Sequence, residues 1–456
     1  MVDRPGAVGV DRSGAVGVDR AGAADVGQLV VDVGSVPNQI GAVLTLEGAD
    51  EAAVSTLMTV IGERLRDVPR LRQRLVTHPP GGGPAAWVEE PGFDVTHHLE
   101  VMACPAPGDE PALLALAADR VTTALPATSP RWRVALVTGL AGGRLGVVAV
   151  FHHVMMDGIG GLAVLSRLVD HEAVAEAASA ATSAVTSTGS SPRPSARRQP
   201  EVTPPRWQRA LHRLSERRAR SRSACREFGA RPTLATRCSL NAPTGPQREV
   251  AVVRAELEAS KRFAHAQGGA TVNDVLLGAM AGALGTLLRR RGEQVERLVA
   301  TVMVAPDRAG TSANQAGIAP IALPTGGSLA DRLPAITART RARLRGRRGG
   351  SAAPFGAALW LLARLRLLRW GIDHQRMVHT FVTNLRGPAS PVTLAGLPVT
   401  DLVPISLATG NVTVAFAAMS YAGTLTVTIV TDPTHHPDRE VLVEALEDEL
   451  AFARPD

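Results

Sequence analysis

Phe151-His152-His153-Val154-Met155-Met156-Asp157-Gly158 is the stretch on which the reading of this chain turns. Before it, Leu145–His152 carries the bulky apolar residues of a buried strand, and Arg133–Thr138 reads as a second strand. Gly142-Gly143 between them predicts a hairpin turn. After it, Gly160–Val169 reads as a helix. HHxxxDG therefore lies where a strand hands over to a helix. Two histidines and a carboxylate are good zinc ligands. Adjacent strand residues point to opposite faces, however, so His152 and His153 do not easily share one ion, and no metal is expected. From the residues alone, a structural histidine pair at a strand end is the favoured reading.

Outward from the motif, Asn38–Leu46 reads as a strand and Asp50–Leu65 as a helix with Asp50 at its N-cap. The chain opens on a short repeat, VDRPGAVG, VDRSGAVG and VDRAGAAD from Val2 onward. Its period is too short for a solenoid, and residues 1–27 are expected to be a flexible tail. Residues 28–174 then form a first mixed α/β domain. Ala175–Pro205, rich in Ala, Ser, Thr and Pro, and the basic Arg206–Arg231 predict a linker over residues 175–245. The basic part is compatible with an amphipathic helix around Trp207, Leu211, Leu214 and Phe228.

Residues 246–456 read as a second α/β domain. Its strand-like runs are Glu249–Leu257, Leu298–Pro306, Ile318–Leu323, Asn411–Met419 and Thr424–Val430. Thr271–Leu288 and Asp438–Ala453 read as helices. Thr271-Val272-Asn273-Asp274 has the T-x-x-D form of a capping box, so Asp274 has a helix-end role open to it besides any site role. His97-His98 and His435-His436 lack a following Asp-Gly and are expected to be surface or loop histidines. Tyr421, the only tyrosine, is expected to pack at a hairpin turn.

Composition narrows the function classes. With 456 residues and 45% apolar content, the chain is long enough for two or three domains with real cores. The three cysteines show no paired spacing, which predicts neither a disulfide framework nor a zinc site and fits a reducing, cytosolic setting. Net charge is 49 − 42 = +7, nearly all from arginine. The basic segment lacks interleaved aromatics or a known nucleic-acid module, so no nucleic-acid partner is expected. A GxSxG elbow and a Walker lysine are both missing, which argues against serine hydrolases of that type and P-loop NTPases. No stretch reads as a secretory signal or a membrane span.

Several further blocks accompany HHxxxDG in a recognisable order. They are Pro130-Arg131-Trp132 with Gly139-Leu140, Asn273-Asp274-Val275-Leu276-Leu277, and Asn314 with Leu323-Pro324. Asn384-Leu385-Arg386-Gly387-Pro388 with Leu394-Ala395-Gly396, and Ser420-Tyr421-Ala422-Gly423 with Asp432 and Asp438, complete the set. In these blocks the chain resembles the bacterial wax ester synthase/diacylglycerol acyltransferase family of the CoA-dependent acyltransferase superfamily. Arg131 departs from the family's PLW segment, and the family's N-terminal opening is not recognisable.

The resemblance implies an α/β (α+β) fold of two chloramphenicol acetyltransferase-like domains, with mixed sheets flanked by helices and the active site at their interface. It implies O-acyl transfer from acyl-CoA, a substrate rather than a cofactor, to diacylglycerol or a long-chain alcohol. His153 becomes the general base, a role suited to a group that titrates near neutrality. His152 is placed behind it, Asp157 supports the loop through a partner such as an arginine, and Gly158 permits a tight turn. Asn273 and Asp274 are candidates for substrate binding. A tailoring or condensation-type acyltransferase with a polar or carrier-bound substrate, and a non-catalytic lipid-surface protein, remain alternatives. Lipid substrates point to a cytoplasmic protein peripheral to an anionic membrane or lipid inclusion. Ala357–Trp370, with Arg364, Arg366 and Arg369, and the basic segment are its candidate contacts.

Overall fold

A computed structural model describes residues 19–48, 51–77, 85–170, 234–304, 317–344, 361–362 and 364–453. In chain order the first half holds β1 (Asp19–Arg20), α1 (Ala23–Val30), β2 (Gln39–Leu46), α2 (Glu51–Arg66), β3 (Gln73–Val76), β4 (Ala86–Glu89), β5 (Leu99–Ala103), α3 (Glu110–Thr122), β6 (Trp132–Leu140), β7 (Arg144–His152) and α4 (Gly158–Leu168). The second half holds β8 (Glu249–Glu256), α5 (Leu257–Ala266), α6 (Val272–Arg290), β9 (Arg297–Val304), β10 (Gly317–Pro324), α7 (Leu329–Leu344) and α8 (Leu368–Asp373). After these come β11 (Thr380–Arg386), β12 (Thr393–Leu394), β13 (Leu397–Ile405), β14 (Val414–Tyr421), β15 (Thr424–Thr431) and α9 (Arg439–Glu449).

The expected two mixed sheets with flanking helices are present. One runs β12-β13-β2-β7-β6-β5, the other β10-β9-β11-β14-β15-β8, and a small third sheet runs β1-β4-β3. β6 and β7 pair antiparallel through the expected turn, where Gly142 and Gly143 take φ of 75° and 66°, a region that suits glycine. β7 is buried on both faces, which explains its nearly unbroken apolar run. Val147, Ala149 and Phe151 join one core cluster, whereas Val148 and Val150 join a different one with α3.

The domain boundaries drawn from sequence need correction. β13 pairs antiparallel with β2, so the second half lends two strands to the first half's sheet. The crossover is fastened by Asp170, whose carboxylate accepts from Thr393 Oγ1 (2.7 Å), Gly396 N (2.9 Å) and Arg64 Nη2 (2.5 Å). Tyr421 packs at the β14–β15 turn as expected, and its hydroxyl donates to Val399 O (2.7 Å) and accepts from Val392 N (3.0 Å).

The flexible tail was expected to reach residue 27, yet its third repeat copy is folded. Asp19 and Arg20 pair with β4, and the buried Asp25 accepts from Trp87 Nε1 at 3.2 Å. The linker was expected to reach residue 245, yet its last residues belong to the second domain. Leu240 is fully buried there, and Asn241 bridges to Val412. Ala175–Arg231 lies outside the described residues.

Two of the histidines expected at the surface or in loops are buried, His436 within a loop. His98 stacks on Trp132 with ring centroids 4.5 Å apart. His436 lies 2.8 Å from Thr413 Oγ1, and burial, aided by the adjacent Arg291, pushes its pKa down to about 4. His98 packs among aromatic rings, whereas His436 is held in a buried polar cluster with Thr413 and Arg291.

Candidate active site

β7 ends at His152, and the chain turns through His153–Met156 into α4. His152 is 2% exposed, with both ring nitrogens engaged. Its Nδ1 accepts from Val154 N at 3.1 Å, so Nε2 carries the proton and donates to Asp32 Oδ2 at 2.9 Å. Arg131 Nη1 lies 3.2 Å from the same Nε2 and 3.7 Å from Asp32 Oδ2. Two donors do not bond each other, so the carboxylate is the guanidinium's partner. Burial works to raise the Asp32 pKa. Hydrogen bonds from His152 and Asn38 N, with the charge of Arg131, outweigh it and hold the group below the usual carboxylate value.

His153 is half-buried, and its main-chain N–H donates to Asn38 O at 2.8 Å. The two histidines therefore differ in burial: the His152 ring is locked into the fold, and His153 is half-buried beside it. Among the described residues, no three His, Cys, Asp or Glu side chains gather as a metal would require.

Asp157 caps α4. Its Oδ1 accepts from Ile159 N (3.1 Å) and Gly160 N (3.0 Å), which satisfies two helix-end donors and fixes where the histidine turn stops. Gly158 needs a different account from the tight turn expected of it, because its φ is not positive. A Cβ there would lie 3.5 Å from the Leu385 methyls and 3.6 Å from Thr383 Cγ2, which are ordinary contacts. Gly158 is therefore a seam residue where α4 meets β11 of the second half, and the histidine turn lies at the junction of the two halves.

Asn273, in the first turn of α6, accepts from Asn384 Nδ2 of β11 at 3.3 Å. Strand alternation puts Asn384 on the face opposite Thr383 and Leu385, so Asn273 lies across β11 from α4. Asp274 leaves the list of substrate-binding candidates. Its Oδ2 accepts from Thr271 N and Oγ1, both at 2.9 Å, and its Oδ1 from Thr340 Oγ1 at 2.7 Å. Both oxygens are spent on capping α6 and tying it to α7. Sequence reasoning left out Asp32, which no motif flags. It also left out the Asn384 contact with Asn273, although the Asn384–Pro388 block already carried the resemblance.

Two α/β halves that share strands, with HHxxxDG at their seam, define the architecture of CoA-dependent acyltransferases and condensation domains. The model of the wax ester synthase/diacylglycerol acyltransferase catalytic domain matches residues 22–276, and that of the family's C-terminal domain matches residues 312–452. The chain belongs to the wax ester synthase/diacylglycerol acyltransferase family and is an acyl-CoA-dependent O-acyltransferase. A Mycobacterium tuberculosis relative named "probable diacylglycerol O-acyltransferase" is 28% identical over 430 residues, covering 90% of each chain. The wax ester synthase/diacylglycerol acyltransferase of Marinobacter aquaeolei superposes with a TM-score of 0.68 at 21% identity, over 95% of this chain and 98% of its own. The first condensation domain of the calcium-dependent antibiotic synthetase superposes at 0.61 with 19% identity, over 95% and 96%. At these identities the two structures speak for the fold alone.

Proposed function

We propose that the protein transfers a long-chain acyl group from acyl-CoA to diacylglycerol or a long-chain alcohol, with His153 as general base. The observation that carries this is the contrast within the histidine pair: His152 is committed to Asp32, and His153 is half-buried at the seam on a fixed main chain. His153 takes the acceptor hydroxyl's proton as its oxygen attacks the thioester carbonyl. The C–S bond then breaks, and the same proton passes to the departing CoA thiolate, giving an ester and free CoA. No acyl-enzyme forms. Asn273 and Asn384 are assigned to holding substrate from the second half.

A long acyl chain resists leaving a lipid phase, at about 0.8 kcal/mol for each buried CH₂. Among the described residues no helix is long and apolar enough to cross a membrane. The reading that fits both is peripheral work on the cytoplasmic face of a membrane or lipid inclusion. Leu361, Leu365, Leu367 and Trp370 support it, exposed by 52%, 57%, 46% and 61% beside exposed arginines 364, 366 and 369.

Incubation with labelled palmitoyl-CoA and a panel of diacylglycerol, long-chain and polar alcohols tests the acceptor class, the products being separated as lipids. His153→Ala is expected to lower turnover by roughly 10²–10⁴-fold in a folded protein. Near-wild-type turnover would refute the base. Co-sedimentation with anionic vesicles that weakens with salt, and weakens again in Trp370→Ala, tests the surface.

A further inference from the structure

Asp32 belongs to no motif, yet its two carboxylate oxygens hold the histidine turn from both sides. Oδ2 accepts from His152 Nε2 at 2.9 Å, and the same ring accepts from Val154 N at 3.1 Å. Oδ1 accepts from Asn38 N at 2.8 Å, and Asn38 O accepts from His153 N, also at 2.8 Å. One arm therefore ends on the residue after His153, and the other ends on His153 itself. Asn38 is held in turn by α1, where its Nδ2 donates to Gln28 Oε1 at 2.8 Å. Arg131, where the resembling family segment has Leu, places a guanidinium 3.7 Å from the carboxylate.

We propose that Asp32 is a positioning residue for His153, clamping the histidine turn through His152 on one side and Asn38 on the other, with Arg131 as its counter-cation. This rests on the reading of His153 as the base. The chemistry is specific to a carboxylate. Both incoming groups, the Asn38 amide and the His152 Nε2–H, are donors, so both oxygens must accept. An amide at this position offers one acceptor and turns a donor toward the other arm. Val154 N–H donating to Nδ1 and Oδ2 accepting from Nε2–H together hold His152 in the Nε2–H tautomer. The titratable group facing Asp32 is His152, and the charged one is Arg131. The bonds from His152 and Asn38 N, with the Arg131 charge as a smaller contribution, keep the carboxylate ionised in a half-buried place, so that neither oxygen becomes a donor.

The test compares Asp32→Asn, Asp32→Glu and Arg131→Leu in the full-length protein, with rates normalised to the folded fraction. Asp32→Asn is expected to lower kcat ten- to a hundredfold while the KM for palmitoyl-CoA stays within threefold. In ¹⁵N spectra near neutral pH, His152 should leave the pure Nε2–H tautomer. Asp32→Glu, which keeps both acceptors, should recover most of kcat and the wild-type tautomer. Arg131→Leu should cost a few-fold in kcat. A folded Asp32→Asn protein with wild-type kcat, or an unchanged His152 tautomer, would overturn the clamp. If Asp32→Asn does not fold, failure of Asp32→Glu to keep the wild-type tautomer overturns it instead. Failure of the base reading is separate, because it shows as an active His153→Ala protein whatever the Asp32 variants do.

Discussion

The second sheet draws all six of its strands from residues 249–431, whereas the first draws β2, β5, β6 and β7 from its own half and borrows β12 and β13 from residues 393–405. The second sheet packs on α6, whose side chains are buried nearly all round. The first reaches a comparable core only with Val392, Leu394, Val399 and Leu402 of the crossover in its main cluster. The incomplete half carries the histidine turn. A site at the seam of two halves is thus built into the sheet that takes two of its six strands from the partner half.

Separating the halves should break this symmetry most severely. Residues 19–170 expressed alone leave β2 as a bare edge and remove the crossover side chains from the core. They are expected to lack the near-ultraviolet circular dichroism of a packed domain, while residues 234–453 retain theirs. A cooperative unfolding transition in the isolated first half would show that the borrowed strands are dispensable.

A subtler break removes the fastening and keeps the chain. Asp170 has its pKa lowered to about 2: burial works to raise it, but the bonds from Thr393, Gly396 N and Arg64 prevail. Because the folded value lies below the ordinary one of 3.8, the stabilisation is fully present above about pH 4 and is lost as pH falls toward 2. Asp170→Asn should cost about 1–2 kcal/mol at neutral pH, and its stability should fall less steeply than the wild type's across that acid window. Chemical denaturation at several pH values measures both.

These dependences mark the limit of what the sequence discloses. The β6–β7 hairpin was legible because apolar runs flank Gly142-Gly143, and α6 because Thr271 and Asp274 form a local cap. β13 was not: Pro398, Asp401 and Pro404 interrupt its pattern, and its partner β2 lies more than 350 residues away in the chain, beyond any local period. Asp32 was invisible for the same reason, since its meaning lies in His152, 120 residues later. The third repeat copy misled because it looks like its predecessors. It differs from them in ending Ala24-Asp25, and Asp25 is the residue that reaches Trp87.

Tyr421 sharpens the comparison at a single hydroxyl. Tyr421→Phe strands the Val399 carbonyl and the Val392 amide at the crossover, an expected loss of about 1–2 kcal/mol in denaturant unfolding. The histidine turn is untouched, so turnover per folded molecule should hold. A large loss of kcat would mean that the crossover reaches the chemistry as well as the fold.

The smallest effect is expected at the motif's own glycine. Gly158 begins α4 with an ordinary backbone φ, so an alanine there carries no conformational strain and favours the helix slightly. Its methyl would meet Leu385 at 3.5 Å and Thr383 at 3.6 Å, distances at which contact is attractive rather than repulsive. Gly158→Ala should therefore leave stability within about 0.5 kcal/mol of wild type. Turnover should stay within roughly threefold, since the Asp157 cap and the Asp32 clamp are both kept and His153 keeps its place. The informative failure is a folded Gly158→Ala protein with a strongly raised KM for the acceptor and unchanged stability. That result would mean that substrate itself passes between α4 and β11, and that the seam between the halves is a passage as well as a packing surface.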